Sequence, residues 1–547
     1  MDSENLQEVD AQGADEASIS RNAAMISVLV VISRITGFLR TWAQARALGI
    51  TMMASCYAIA NNLPNQLYEL VVGGMLVTAF LPVYLSERSH GGRRQSNAYA
   101  SNLSSLIVVF MGIATIACIA FAMPLVYTQS FSAQSDFDMD LTTMFFRFFA
   151  IEIMFYSLSS VFSGVLNAER EYVWSSVAPI ANNVITIASF VIYGALATSA
   201  PRLALIILAL GNPLGVLAQV LIQLPAMSRR GIRIRPYINF HDPALKDTLS
   251  IGVPSLVVML SSFVTVSVMN SSALSVTSSG ASVIYYARLW YTLPYSVLAV
   301  PITTTMFTEL SLRFSKEDTE GFCAGVKQGI VKIMFTLVPF ALFLIVFSTP
   351  LTVMLSAGSF GEEGVALTAY YLAMLSLSLP PYGVCMYFQK VFSAMREMRV
   401  FAAASIAAGV VQVILCLACT RFFGIGMVAF SSFVFFMVVD LISLVYLRRK
   451  VEGFRMGDLV APLVRSLVFG GMGSAAGMGA MWALGRLMGP IGESIVHALV
   501  WTVVGGVLAL VFCYGAALAL HAPEAGFIGS LLHRGRPAGA GQSADEE

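Results

Sequence analysis

Fourteen runs of about 20 predominantly apolar residues, each long enough to cross a hydrocarbon core about 30 Å thick, recur along the chain. A backbone that crosses lipid must satisfy its own hydrogen bonds, so each run is expected to be a helix. The first six fall near residues 23–47, 57–85, 101–128, 143–166, 173–198 and 203–225. Six more fall near 248–273, 283–312, 328–356, 366–393, 401–420 and 424–447, and two follow at 460–488 and 493–520. Of 547 residues, 57% are hydrophobic and 12% charged, which excludes an ordinary soluble globular surface. The expected fold class is an all-α polytopic membrane protein with 14 transmembrane helices. A net charge of +1 gives no sign of a nucleic-acid partner.

Short cytoplasmic loops are rich in Lys and Arg, and external ones are not. With the N-terminus placed inside, the even-numbered loops carry Arg88, Arg93 and Arg94; Arg170; Arg229, Arg230, Arg233, Arg235 and Lys246; Arg313 and Lys316; Arg396 and Arg399; and Arg448, Arg449, Lys450 and Arg455. The odd-numbered loops hold little beyond Arg202, Arg421 and Arg486, and two are acidic, with SDFDMD at 135–140 and Glu362-Glu363. Both termini are therefore expected in the cytoplasm. Residues 1–20 are acidic and polar, and no small-residue cleavage pattern follows, so no cleavable signal peptide is expected. Residues 1–21 and 522–547 read as disordered tails.

An internal repeat divides the interior. FSGVLNAERE at 162–171 matches FQKVFSAMRE at 388–397 without a gap, 226 positions later, aligning Ala168 with Ala394, Arg170 with Arg396 and Glu171 with Glu397. Each stretch closes the fourth helix of a six-helix set. Six is even, so the expected lobes, 22–228 and 246–450, share one orientation and form a parallel repeat related by a pseudo-twofold axis along the membrane normal, with the substrate site between them. The remaining helices, within 458–520, are glycine-rich at GGMGSAAGMG (470–479), which permits close helix contact.

The chemistry is expected where charge enters the membrane. Counting about 1.5 Å per residue from residue 22, Arg34 lies roughly 18 Å deep and Arg40 roughly 27 Å deep. An arginine at the bilayer centre costs about 2.5–3.5 kcal/mol on insertion scales, so Arg34 must face a watery cavity or a partner. Arg46 sits at the external end, where snorkelling suffices. Residues six apart are about 120° apart on a straight helix, so a bend at Gly37 is invoked to bring Arg34 and Arg40 together. Glu69 lies at about the depth of Arg34 on the next helix, where an ion pair is allowed. In the same helix Pro64 interrupts the ladder among Asn61, Asn62 and Asn65, a break tolerated beside a cavity. Arg288 lies in YYARLWYTLP, with Pro294 and Pro301 following; Arg147, Glu152 and Asn182-Asn183 add to the set. For Arg147, Lys332, Asp440 and Arg465, which can reach an interface, a structural role is the simpler expectation. Cys416 and Cys419 lie in the apolar run LCLACT and are expected to pack rather than to bind metal or cycle redox. A cavity whose deep charges are mainly arginine suits an anion, and the planar guanidinium suits phosphate.

These residues resemble the MurJ/MviN-type lipid II flippases of the multidrug/oligosaccharidyl-lipid/polysaccharide exporter superfamily, over about residues 22–520. The resemblance rests on SRITGFLR (33–40), LPN (63–65) with GG…FLP after it (73–82), NAERE (167–171), Pro179 with Asn182-Asn183, INFHD (238–242) and YYARL (285–289). It implies translocation of undecaprenyl-pyrophosphate-linked peptidoglycan precursor from the inner to the outer leaflet of the bacterial cytoplasmic membrane by alternating access. It implies pyrophosphate binding by Arg34, Arg40 and Arg288, with Glu69 pairing an arginine in the empty state. Asn61, Asn62 and Asn65 complete the candidate substrate-binding set, and a lipid-tail groove is lined by the last two helices. No catalytic residue, metal or cofactor is expected. The implied partners are lipid II, membrane lipids and other proteins of cell-wall synthesis. The chain departs from the family's pattern at Ser55, where many members have an acid, at Tyr68 and Glu69, where they have a basic pair, and in the step after YYA, which lacks its acid. Some members bind sodium through carboxylates in helices 7 and 11, where this chain has no Asp or Glu.

Three other readings compete. An exporter of another polyprenyl-linked glycan shares every feature above, whereas a drug antiporter fits poorly with fourteen helices and a cationic cavity. An enzyme acting on lipid phosphates needs a nucleophile or an acid–base pair, and the five histidines are scattered in loops, helix 14 and the tail with no His/Asp or His/Glu cluster. A non-transporting scaffold of cell-wall synthesis is distinguished by tolerance of a charge swap at Arg34.

Overall fold

A computed structural model describes residue 25 and residues 28–70, 80–241, 243–356, 359–450, 453–492 and 494–526, with side chains described except at 82 and 243–258. The expected tails at 1–21 and from 527 onward, the glycine pair 73–74 and Asp242 lie outside these residues. Among the described residues every regular element is helical. In chain order they are α1 (28–48), α2 (Met52–Tyr68), α3 (Leu81–Ala120), α4 (Ala122–Thr128), α5 (Met139–Phe149), α6 (Glu152–Ala168), α7 (Tyr172–Leu196), α8 (Pro201–Leu221), α9 (Leu224–Arg229) and α10 (Pro243–Val276). Then come α11 (Gly280–Pro294), α12 (Val300–Ser315), α13 (Thr319–Val346), α14 (Ser348–Ser356), α15 (Gly361–Ser376), α16 (Leu379–Ala394), α17 (Met398–Phe423), α18 (Ile425–Lys450), α19 (Val460–Met488) and α20 (Ile495–Ala519). Among the described residues, ten stretches are long and apolar enough to span a bilayer, and up to eleven when the bent pair α15–α16 counts as one.

Several apolar runs are broken where the sequence supplies a cause. Pro294 and Pro301 flank a π-helical turn at Tyr295–Ala299 that separates α11 from α12. Pro380 and Pro381 open α16 after a 48° bend from α15. The α5–α6 break at Ala150 and Ile151 has no proline. The stretch between the second and third runs, read from sequence as a loop, is helical within α3 and breaks only at Gly92, whose φ of 64° most side chains avoid.

The two repeated stretches end alike. Arg170 and Arg396 take left-handed φ of 59° and 58°. Glu171 N–H donates to Leu166 O at 2.8 Å and Glu397 N–H to Phe392 O at 2.9 Å, while Arg170 and Arg396 donate to Asn167 O and Ser393 O, each at 3.1 Å. These are Schellman caps, which satisfy the last carbonyls of a helix. The following acids are then anchored, Glu171 to Arg230 at 2.6 Å and Glu397 to Lys450 at 2.9 Å.

The described residues group into two compact units. The first runs through Leu289 and includes Leu355–Gly364 and Val413–Val428. Its core centres on Tyr57, fully buried and in edge contact with Phe149 at 5.2 Å, Phe190 at 5.4 Å and Phe145 at 5.7 Å. The second comprises Trp290–Met354, Val365–Gln412 and the chain from Ala429. In it α19 packs closely on α20: a Cβ at Gly473 would stand 2.5 Å from the Ala509 carbonyl oxygen. A turn at Pro523–Ala525, within the stretch expected to be disordered, buries Glu524 against Arg465, whose Nε lies 3.1 Å from both carboxylate oxygens. Arg465 itself stays 40% exposed at its side chain, so it pairs with Glu524 while part of it remains at the surface.

Gly473→Ala is expected to cost about 1–3 kcal/mol, the usual range for overpacking. Gly471→Ala, whose new methyl meets nothing within 4 Å, should be neutral or stabilising. Thermal unfolding in detergent, followed by labelling of the buried cysteines, distinguishes the two.

Candidate functional site

The first unit holds a polar spine inside an apolar bundle. α1 is helical without interruption from 28 to 48, through Gly37. Arg34 and Arg40 consequently occupy different sides of α1. Arg34 is exposed and forms no hydrogen bond or ion pair among the described residues. Two residues on, Asn183 Nδ2 donates to Thr36 Oγ1 at 3.1 Å.

Arg40 enters a buried network. Its Nη2 donates to Asn212 Oδ1 at 3.0 Å. Asn212, fully buried on α8, turns its Nδ2 to Glu152 Oε2 at 2.9 Å and Oε1 at 3.0 Å, and also donates to Asn61 Oδ1. One side-chain amide therefore connects a cation to an acid, with its acceptor end toward the guanidinium and its donor end toward the carboxylate. Glu152 is fully buried and is the first residue of α6, where the helix N-terminus favours negative charge. The break before it thus positions the acid. Arg40 Nε is a buried donor with no hydrogen-bond partner. A guanidinium so placed retains one directed N–H for an incoming acceptor.

Below this network the helices are joined by amides and hydroxyls. Asn182 Nδ2 donates to Gln219 Oε1 at 3.0 Å, Gln219 Nε2 to Ser159 Oγ at 3.1 Å, and Gln223 Nε2 to Ser159 Oγ at 2.9 Å. The approach of α7 to α8 requires a hydrogen at 215, since a Cβ on Gly215 would lie 2.5 Å from Asn182 Oδ1. On α2, Asn65 Nδ2 donates to Asn61 O at 3.1 Å, beside the ladder interrupted by Pro64, while Asn62 is half-buried.

Glu69 and Arg288 are both exposed, and the charged neighbour acting electrostatically on Glu69 is Arg288. The ion pair with Arg34 considered from depth alone is not formed. Arg46 Nη1 donates to Ser359 Oγ at 3.0 Å, and that hydroxyl donates back to Arg46 O at 3.0 Å. Ser55, which stands where many members of the resembled family have an acid, is buried and accepts the backbone N–H of Ser282 at 3.1 Å; Tyr68 shares a short hydrogen bond with Ser160. Asn212, the centre of the spine, was missed from sequence, and Glu152 was noted without a partner. The available signals were an amide directly before Pro213 in an apolar run and an acid deep in the fourth run.

In the second unit an apolar groove of about 380 Å³ is lined by Trp290, Pro294, Phe340, Phe347, Thr502 and Gly506 among others. Of the last two helices only α20 contributes to it, with α11, the π-helical turn after it, α13 and α14 supplying the rest.

An all-helical multi-span bundle with broken helices and buried charges has the build of a membrane transporter, and the fold agrees. The structure is similar to one described as "Lipid II flippase MurJ, inward closed conformation", with a TM-score of 0.71 at 19% identity over 91% of this chain and 99% of that one. It also resembles an inward-facing multidrug resistance MATE family transporter of the MOP superfamily, with a TM-score of 0.65 at 14% identity over 78% and 98% of the two chains. The model of the family described as "Lipid II flippase MurJ" matches residues 44–488, and the chain belongs to that family. Among its relatives, the lipid II flippase MurJ of Burkholderia cenocepacia is 26% identical over 370 residues, covering 66% of this chain and 70% of that one. The probable lipid II flippase MurJ of Borreliella burgdorferi is 20% identical over 446 residues, covering 81% and 86%.

Asn212→Leu, which leaves Arg40 and Glu152 buried without their bridge, is expected to cost about 3–5 kcal/mol, the range for breaking a buried charge pair. Asn62→Ala should change stability little. Unfolding temperatures of the two variants in detergent check this.

Proposed function

We propose that this chain is a lipid II flippase of the bacterial cytoplasmic membrane, moving the undecaprenyl-pyrophosphate-linked precursor from the inner to the outer leaflet by alternating access. The observation that carries the reading is Arg40, anchored on one side by the Asn212–Glu152 bridge and left with an unpartnered Nε–H, in a chain of the MurJ family. A pyrophosphate offers several anionic acceptors, and a preorganised guanidinium binds them with charge-assisted hydrogen bonds at little ordering cost. Arg34 and Arg288 supply further positive charge. Glu69 keeps Arg288 company in the empty site and yields it to substrate. Asn61, Asn62 and Asn65 border the phosphate site beside the interrupted α2 ladder, and the apolar groove accepts prenyl chain. Translocation makes and breaks no covalent bond, so no catalytic residue is assigned.

The fourteen-helix topology, with both termini in the cytoplasm and two six-helix lobes in parallel repeat, belongs to this proposal. The matching Schellman caps at Arg170 and Arg396 support the repeat. So do the breaks at 150–151 and 377–378, which fall within about a residue of the same offset. Ser55 and Tyr68 favour a second reading, export of a different polyprenyl-linked glycan, because neutral residues stand where many members carry charge.

The test is complementation of a bacterium depleted of its own lipid II flippase, with externally accessible lipid II assayed alongside growth. Wild type should rescue, and Arg34→Ala and Arg288→Ala, inserted at wild-type levels, should not. Full transport by Arg34→Ala would refute the arginine route. Failure of inserted wild type would favour the second reading.

A further inference from the structure

Asp440 lies on α18, ten residues before its basic end at Lys450, about 15 Å along the axis. It is only 6% exposed, so it does not reach an interface as its sequence position suggested. α16 packs on this helix through Tyr382 and Phe436, ring centres 5.1 Å apart, and through Phe392 and Tyr446 at 5.8 Å. α17 joins it through Gln412 Nε2 and Ser431 Oγ at 3.3 Å.

None of these helices offers Asp440 a cation. From α16 the titratable group beside it is the buried thiol of Cys385, and Lys390 is directed instead over the Phe307 ring at 5.4 Å. On α17 the charged residues are Arg399 and Arg421, exposed near its two ends. On α18 itself, Tyr446 and Lys450 are bound to Glu397 at the helix end, beside Arg448 and Arg449. Among the described residues Asp440 forms no ion pair, and its Oδ1 is buried without a hydrogen-bond donor. One turn on, Ser443 Oγ is also buried and unpartnered. Glu152 provides the contrast, with its Asn212 amide and Arg40 beyond.

A carboxylate with Oδ1 buried and with neither a donor nor a cation beside it is costly, so the group in this conformation is the neutral acid. A neutral acid satisfies its surroundings no better than a leucine would, and intramembrane acids mark proton relays and ion paths.

We propose that Asp440 is a proton-carrying site: its carboxyl is loaded here, and when α18 is exposed to water the O–H bond breaks, the proton passes to water and a carboxylate remains. This inference rests on the flippase reading, since lipid II movement is the step to which the proton is coupled.

Two measurements separate the claims. Infrared difference spectra of wild type against Asp440→Asn in detergent at neutral pH should contain the C=O stretch of a protonated carboxylic acid, whether or not the protein moves lipid II. A carboxylate signature in its place overturns the proposal. In proteoliposomes containing lipid II, a one-unit pH gradient should shift the leaflet distribution of lipid II by up to about tenfold for one proton per cycle in wild type, the factor that one pH unit represents. Asp440→Asn should equilibrate lipid II but not respond to the gradient, and an unchanged response also overturns the proposal. If wild type moves no lipid II under any gradient, the flippase reading fails and the coupling falls with it, while the infrared result still decides the protonation of Asp440.

Discussion

A guanidinium inside an apolar helix bundle must be held by something, and in this protein a single amide holds it. Asn212 accepts from Arg40 and donates to Glu152, so opposite charges are joined through an oriented dipole rather than by direct contact. Direct pairing would neutralise both ends and leave little for a ligand. The bridge fixes the arginine's position while leaving Nε–H unspent. Where water is scarce, a donor oriented in advance attracts an anion more strongly than the same group in solvent.

Much of the first unit follows from that bridge. Glu152 must begin a helix, and α5 stops so that α6 can start there. Asn61 must face Asn212, on a helix whose hydrogen-bond ladder lacks the donor that Pro64 cannot supply. α7 and α8 must approach at a glycine for the amide ladder beneath to close. Each break in regular helix exposes backbone polar groups, and these can be left only where other polar groups or water meet them. The broken helices and the buried polar spine are thus two aspects of one requirement.

The helical, multi-span character was legible in the sequence because an apolar run of membrane length has few alternatives to a helix, although fourteen runs were marked and ten or eleven stretches among the described residues are long and apolar enough to span. The breaks beside Pro294 and Pro301 and before Pro380 and Pro381 fall inside runs that were read as single spans, although prolines that end a helical ladder stand at each. The Arg170 and Arg396 turns were visible as a repeat because ten residues carry the whole motif. The partner of Arg40 was not visible: Asn212 is 172 residues away, and nothing near either residue specifies their meeting. Depth along a helix gave Glu69 the wrong cation, because it fixes height but not azimuth, and Arg288 approaches from α11. Asp440 and Arg465 were read as interfacial from position alone. Packing buries the first, and a turn beyond the last helix pairs the second with Glu524.

The central claim is that Arg40 binds a pyrophosphate through a directed guanidinium, not merely through its charge. Lipid II binding to the purified protein, measured for wild type and Arg40→Lys, tests it most directly, because lysine keeps the charge and removes the fork. The account predicts binding weakened by at least about tenfold, the loss of roughly 1.4 kcal/mol. Unchanged affinity in a folded Arg40→Lys protein would contradict it.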